Sequence, residues 1–236
     1  MRMTTIQKLS AVSLGLSAFL CASQASAGEF GDRGQFIISA DRLFPLLSFT
    51  DVQTTEYTPP YVKDTYQQSS FSLLLGGTPP TDTFYTLPRL GLDYVVTSHL
   101  TVGGDLVLYT TLGTSNSPAA GNGSGPTTFA FGFAPRVGYV IAFNDVFAFW
   151  PRGGVSWYTT SSNGPGNGGS SINQLALDVD PQFVITPVSH FGFTVGLTTD
   201  IPLTGGHSDT NAASVTQSQS ADIFYIGATV GILGYL

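Results

Sequence analysis

The sequence predicts an all-β chain, an eight-stranded antiparallel up-and-down transmembrane β-barrel, and three observations carry that reading. Charged residues make up only 10% of the 236 residues while hydrophobic residues make up 42%, whereas soluble domains carry about 25% charge. Segment after segment alternates bulky apolar with small or polar residues at period two, over the roughly 9 to 11 residues that a tilted spanning strand needs. Short connections also alternate with long ones rich in Gly, Ser, Asn, Pro and Thr, the rhythm of an up-and-down barrel. The 28 Gly, 14 Pro and 17 Phe favour strands and turns over helices and exclude a helical bundle. With 8 Lys+Arg against 15 Asp+Glu and a net charge of -7, there is no basic patch to condense on phosphates, so nucleic acid is excluded as a partner.

Residues 1–27 read as a removable secretory signal. Arg2 and Lys8 supply its positive start, Leu9 to Leu20 an apolar stretch too short to span, and Ala25-Ser26-Ala27 a small-residue cleavage motif. Cys21 follows Leu20, where lipid attachment requires a small residue. Cleavage removes this single cysteine, leaving no disulfide chemistry in residues 28–236 and six basic residues against fifteen acidic ones. No later segment offers 18 consecutive apolar residues, so no transmembrane helix is expected.

Eight strands follow in order. Gly34 to about Ser48 sets Phe36, Ile38 and Ala40 against Ser39 and Asp41. Thr83 to Thr97 sets Leu90, Leu92, Tyr94 and Val96 against Arg89, Gly91, Asp93 and Thr97, and His99 to Thr111 sets Leu100, Val102, Leu106 and Leu108 against Thr101, Gly103, Asp105 and Tyr109. The clearest alternation is Thr127 to Phe143, where Phe129, Phe131, Phe133 and Val137 oppose Ala130, Gly132, Ala134 and Arg136. Val146 to Thr160 opposes Phe147, Phe149, Val155 and Trp157 to Ala148, Arg152, Gly154 and Ser156, and Asn173 to Pro187 opposes Leu175, Leu177 and Val179 to Gln174, Asp178 and Asp180. Phe191 to Ile201 carries Asp200 on its polar face, and Ala221 to Leu236 closes the set with Phe224, Ile226 and Val230 against Tyr225, Gly227 and Thr229.

Tight turns are expected at Ser98-His99, Asn144-Asp145 and Ser189-His190, and long loops at 113–126, 161–171 and 204–219. The first long extracellular loop covers about residues 50–82. Within it, residues 66–76 suit an extra strand or a plug; assigning them to the loop keeps the count even and both termini on one side. Tyr57, Tyr61 and Tyr66 there suit either a binding surface or packing over the barrel mouth.

An eight-stranded barrel has an interior just wide enough for side chains. The Phe, Trp and Leu face is therefore outside, against lipid, and the small and charged face is inside. Three repeats, Leu87-Pro88-Arg89-Leu90-Gly91, Ala134-Pro135-Arg136-Val137-Gly138 and Trp150-Pro151-Arg152-Gly153-Gly154, place Arg inward with Gly two residues on. The expected lumen network is Arg89, Arg136 and Arg152 facing Asp41, Asp93, Asp105, Asp178, Asp180 and Asp200. A filled interior and a narrow cation-preferring passage both fit it.

No catalytic, cofactor or metal residues are expected. His99 and His190 sit at the short turns; His207-Ser208-Asp209 are neighbours on a loop, whereas triads draw members from different elements. Asp178 and Asp180 suit a carboxylate pair or calcium ligands, but the arginines are the simpler partners. The glycines at 121–125 and 164–169 lack the Lys and helix of a phosphate loop.

The leader, the alternation, the turn rhythm and a terminal strand ending Ile232-Leu233-Gly234-Tyr235-Leu236 resemble the bacterial outer-membrane β-barrel proteins. The resemblance is to the small eight-stranded type related to the barrel of outer-membrane protein A and to outer-membrane protein X, and it covers nearly all of residues 28–236. It implies residence in the outer membrane, a monomer in contact with lipid and lipopolysaccharide, and insertion by the barrel-insertion machinery through the C-terminal strand. It further implies a packed lumen and a structural or surface-interaction role through the extracellular loops. Members usually end on an outward aromatic, and Leu236 departs from that. A narrow porin-like channel and, more distantly, a lipid-modifying enzyme are the alternatives.

Overall fold

The computed structural model describes residues 29–58, 62–73, 84–117, 121–163, 168–210 and 215–236, so the leader lies outside the described residues. Ten strands follow in chain order: β1 (Phe36–Thr58), β2 (Val62–Leu73), β3 (Arg89–Thr97), β4 (Leu100–Ser117), β5 (Gly121–Tyr139), β6 (Ile141–Ala142), β7 (Phe147–Asn163), β8 (Gly169–Val188), β9 (Phe191–Thr210) and β10 (Thr216–Tyr235). One 3-10 turn, Phe84–Thr86, precedes β3. No helix among the described residues is long and apolar enough to cross a membrane.

Eight strands, β1-β3-β4-β5-β7-β8-β9-β10, form an antiparallel ring. It closes where β10 pairs with β1, from Ile37↔Tyr235 to Thr55↔Ser220. Closure follows from the solvent: in hydrocarbon each unpaired backbone group costs several kcal/mol, and a closed ring has no edge. The period-two pattern decides the faces. Along β3 every second residue from Arg89 to Val95 is buried while Leu90, Leu92 and Tyr94 are exposed. The same belt of exposed Phe, Leu, Val and Ile encircles the ring, a surface that water would not tolerate and acyl chains cover. The short turns at Ser98-His99 and Ser189-His190, where both histidines take positive φ (74° and 68°), lie at the same end as Phe36 and Leu236.

The structure corrects three boundaries. The first long connection is not a loop throughout: β1 continues to Thr58, and β2 folds back along it from Thr58↔Val62 to Leu47↔Leu73. Residues 66–73 are thus an added strand on β1, outside the ring, whose count stays at eight; 74–76 lie outside the described residues. The strand expected from Thr83 begins at Arg89, because the 3-10 turn and Pro88 occupy its start. The regions expected as loops at 113–126, 161–171 and 204–219 largely continue the ladders, so β7 to β10 run 17 to 20 residues. Above the bilayer neither face needs to be apolar, so pairing persists without the alternation that would reveal it.

The ring differs between its halves. Near the short turns β1 pairs with β3, from Phe36↔Tyr94 to Asp41↔Arg89; farther out β1 pairs with β2 instead. Among the described residues, β4 beyond Leu106 pairs only with β5, and β2 pairs only with β1. β2 and β4 therefore flank a seam beside the segment leading into β3, whose Tyr85 and Leu87 pack into the upper lumen.

Candidate functional site

The lumen is the candidate site, and it is filled in four layers. At the short-turn end, Phe30 packs edge-on against Trp150 (5.6 Å) and Tyr235 (5.4 Å), in one buried cluster with Ile37, Val95 and Leu233. The segment before β1 is tied in place by Gln35. Its Oε1 accepts from Gly31 N–H (2.9 Å) and its Nε2 donates to the Glu29 carbonyl (2.8 Å). This stopper was not legible in the sequence, since residues 29–35 carry no periodicity.

Above it lies the first ionic layer. Arg136 donates through Nε and Nη2 to both oxygens of Asp93 (3.0 and 2.5 Å). Its Nη1 meets Asp41 Oδ2 at 2.9 Å and Asp105 Oδ1 at 2.6 Å. Arg152 Nη1 also reaches Asp41 Oδ2 (2.9 Å), and the Ser39 hydroxyl donates to the same oxygen (2.9 Å). The Arg152 head stands 4.5 Å from the centre of the Trp150 ring, so the layer rests on the aromatic stopper. Gly91 makes this possible: a Cβ there would fall 2.6 Å from Arg136 Nη2.

In the second ionic layer Arg42 Nη1 meets Asp200 at 2.6 Å, and its Nη2 meets Asp178 and Asp180 at 3.3 and 3.2 Å. Arg89 Nη1 meets Asp178 at 2.6 Å and its Nη2 meets Asp200 at 3.4 Å. The Thr198 hydroxyl donates to Asp180, and Arg152 Nη2 lies 3.7 Å from Asp180, linking the layers. The structure thus brings together Asp41, Arg89, Asp93, Asp105, Arg136, Arg152, Asp178, Asp180 and Asp200.

Arg42 is the one buried charge among the described residues that the sequence pattern missed. After Asp41, alternation would turn it toward lipid. Instead Arg42 takes φ 55°, a conformation uncommon outside glycine, within a register shift between Ala40 and Phe44, and two consecutive charged side chains enter the lumen. The signal was available: an arginine facing mid-bilayer costs about 2 to 4 kcal/mol, so a lone Arg in an apolar belt calls for a bulge.

The fourth layer is aromatic. Tyr85 meets Tyr158 edge-on at 5.2 Å and stacks near Tyr225 at 5.7 Å, with Val107, Ile172, Ala176 and Ile223 around them. Arg42 Nη1 donates to the Tyr85 carbonyl (3.1 Å), and Arg89 lies over the Tyr158 ring. Trp157, by contrast, faces lipid on the same strand as Trp150.

Outside the lumen, His207 Nε2 lies 2.9 Å from Ser170 Oγ and 3.1 Å from Asp209 Oδ1. Both contacts fall on one ring nitrogen, whereas a relay of acid, base and nucleophile engages opposite nitrogens. Among the described residues no group of three or more His, Cys, Asp or Glu is arranged to hold a metal ion.

No family model and no curated protein matches the chain. Among solved structures, the outer membrane protein OprG from Pseudomonas aeruginosa aligns with TM-score 0.48 and 10% identity over 86% of this chain and 96% of its own. The outer membrane protein AlkL aligns with TM-score 0.46 and 12% identity over 90% and 94%. Neisserial surface protein A aligns with TM-score 0.39 and 11% identity over 86% and 99%. Those likenesses concern fold alone. The chain's own closed ring, apolar outside and charged inside, has the architecture of the small eight-stranded outer-membrane β-barrels, and its exterior is one that a bilayer covers.

Proposed function

We propose that the protein is a non-conducting outer-membrane anchor that acts by contact at the cell surface, through the strand extensions beyond the bilayer. The observation behind this reading is the filled axis: an aromatic stopper, two ionic layers and a tyrosine layer succeed one another along the lumen. The extensions offer hydroxyl and amide groups rather than a catalytic array, such as the Ser208–Ser218 and Thr210–Thr216 pairs (3.2 and 3.0 Å). Lipopolysaccharide around the belt, a monomeric state and insertion through the C-terminal strand belong to the same proposal. Planar-bilayer recording of purified protein tests it. The expected result is a silent membrane; reproducible unitary currents would return the role to an axial channel.

A second reading rests on the seam. Phe71 and Leu73 on β2 and Leu108 on β4 are among the most exposed apolar side chains described (68, 59 and 72%), and the tyrosine layer lies just inside. Such a wall suits sideways exchange of a small apolar solute between the upper lumen and the outer leaflet, gated by Tyr85. Faster uptake of an apolar fluorescent dye by cells carrying the Tyr85→Ala protein favours this reading; unchanged uptake counts against it.

A further inference from the structure

Above the tyrosine layer, polar side chains stand side by side across neighbouring strands: Ser162 of β7, Ser170 of β8, Asp209 of β9 and Gln217 of β10. The ladders set them in direct register, Ser162↔Ser170, Ser170↔Asp209 and Asp209↔Gln217. Residues directly opposite one another share a face of the sheet. Here it is the face of the buried Tyr158 and Ile172, which lie an even number of residues away on β7 and β8. The row therefore lines the inner wall of the strand extensions. With strands spaced at about 4.8 Å it is about 14 Å long, and it borders a groove of about 370 Å³.

The lining of this groove selects a class of ligand. Its charged acceptor is Asp209, whose side chain is 52% exposed. His207 Nε2 stands 3.1 Å from Asp209 Oδ1 and 2.9 Å from Ser170 Oγ, whereas Asp209 Oδ2 has no partner among the described residues. The Ser hydroxyls and the Gln217 amide both donate and accept, as every hydroxyl of a sugar does. Val215, 55% exposed, adds an apolar patch for the C–H side of a sugar ring. Beyond Arg152 the sequence contains no Lys or Arg, so these extensions offer a sulfated or phosphorylated ligand no cation to meet. A peptide would look for a free sheet edge or for side-chain pockets, and β8 and β9 are paired on both sides at this level.

We propose that this inner row is a binding site for a neutral, hydroxyl-rich glycan. Asp209 accepts sugar hydroxyls through Oδ2, while Ser162, Ser170 and Gln217 complete the contact along the row. His207 is a positioning residue: it holds Asp209 Oδ1 and so turns Oδ2 toward the groove. The site rests on the surface-contact reading above and gives it a ligand class.

The test passes leader-free protein, refolded in detergent micelles, over immobilised dextran, mannan and galactan, with heparin as the sulfated comparison. Retention of at least one neutral glycan and none of heparin is expected. Asp209→Ala should bind that glycan about tenfold more weakly, and Ser162→Ala less tightly than wild type. Ser161→Ala, on the outer face of β7, should bind as wild type does. His207→Leu should weaken binding, and His207→Gln, which keeps an N–H donor, should restore it. The heat-modifiable gel band reports folding for each variant. Retention of no neutral glycan, stronger retention of heparin, or equal binding by wild type and Asp209→Ala would overturn the proposal. Cells with and without the protein are then compared for attachment to protein-coated surfaces. Attachment that depends on the protein, with no glycan bound, sinks the glycan site and keeps the surface-contact reading; equal attachment by both cells, with no glycan bound, sinks both.

Discussion

The charged middle of the lumen and the strand extensions above it are built from the same strands but held together differently. In the middle, partners come from across the barrel: Arg136 of β5 joins β1, β3 and β4, and Arg42 of β1 joins β8 and β9. In the extensions, the side-chain pairs among the described residues join neighbouring strands, as Ser208 joins Ser218 and Ser170 joins His207. A substitution in the middle is therefore felt around the whole ring, whereas one in the extensions stays local.

The largest break is Arg136→Met, which strands Asp93 and Asp105 and leaves Asp41 to Arg152. A loss of about 3 to 5 kcal/mol is expected, read as a lower urea midpoint for loss of the heat-modifiable gel band. Adding Asp93→Asn sharpens the comparison, since one orphaned charge disappears and part of the loss returns. Tyr85→Ala comes next. It removes two ring contacts, worth about 1 to 3 kcal/mol together, and should leave both ionic layers intact. Ser72→Ala, which breaks the half-buried Ser48–Ser72 bond of 2.8 Å, should cost about 0.5 to 1.5 kcal/mol. Ser208→Ala in the extensions should leave the urea midpoint unchanged. A shift there as large as that of Arg136→Met would erase the distinction between the two regions.

What the sequence made legible follows the same division. Within the bilayer, lipid imposes one face and the narrow lumen the other, so period two placed both the belt and nine of the ten buried charges. Arg42 escaped because a single residue at φ 55° breaks the period. Phe30 and Tyr85 escaped because they enter the lumen from a turn and from the short 3-10 segment before β3, outside the strands whose period marks direction. Residues 66–76 suit an extra strand or a plug and are assigned to the loop, and the strand extensions escaped, because runs such as Gln67-Gln68-Ser69-Ser70 present no apolar face; their pairing is a property of the backbone ladder, which leaves little trace in composition.

The chain contains two tryptophans, both on β7: Trp150 is enclosed in the lumen and Trp157 faces lipid. Quenching by lipids brominated on their acyl chains reads the two faces separately, using Trp150→Phe to leave Trp157 and Trp157→Phe to leave Trp150. Strong quenching of Trp157 with Trp150 untouched is the predicted result. Quenching of Trp150, with Trp157 shielded, would contradict the orientation on which the closed, charged lumen depends.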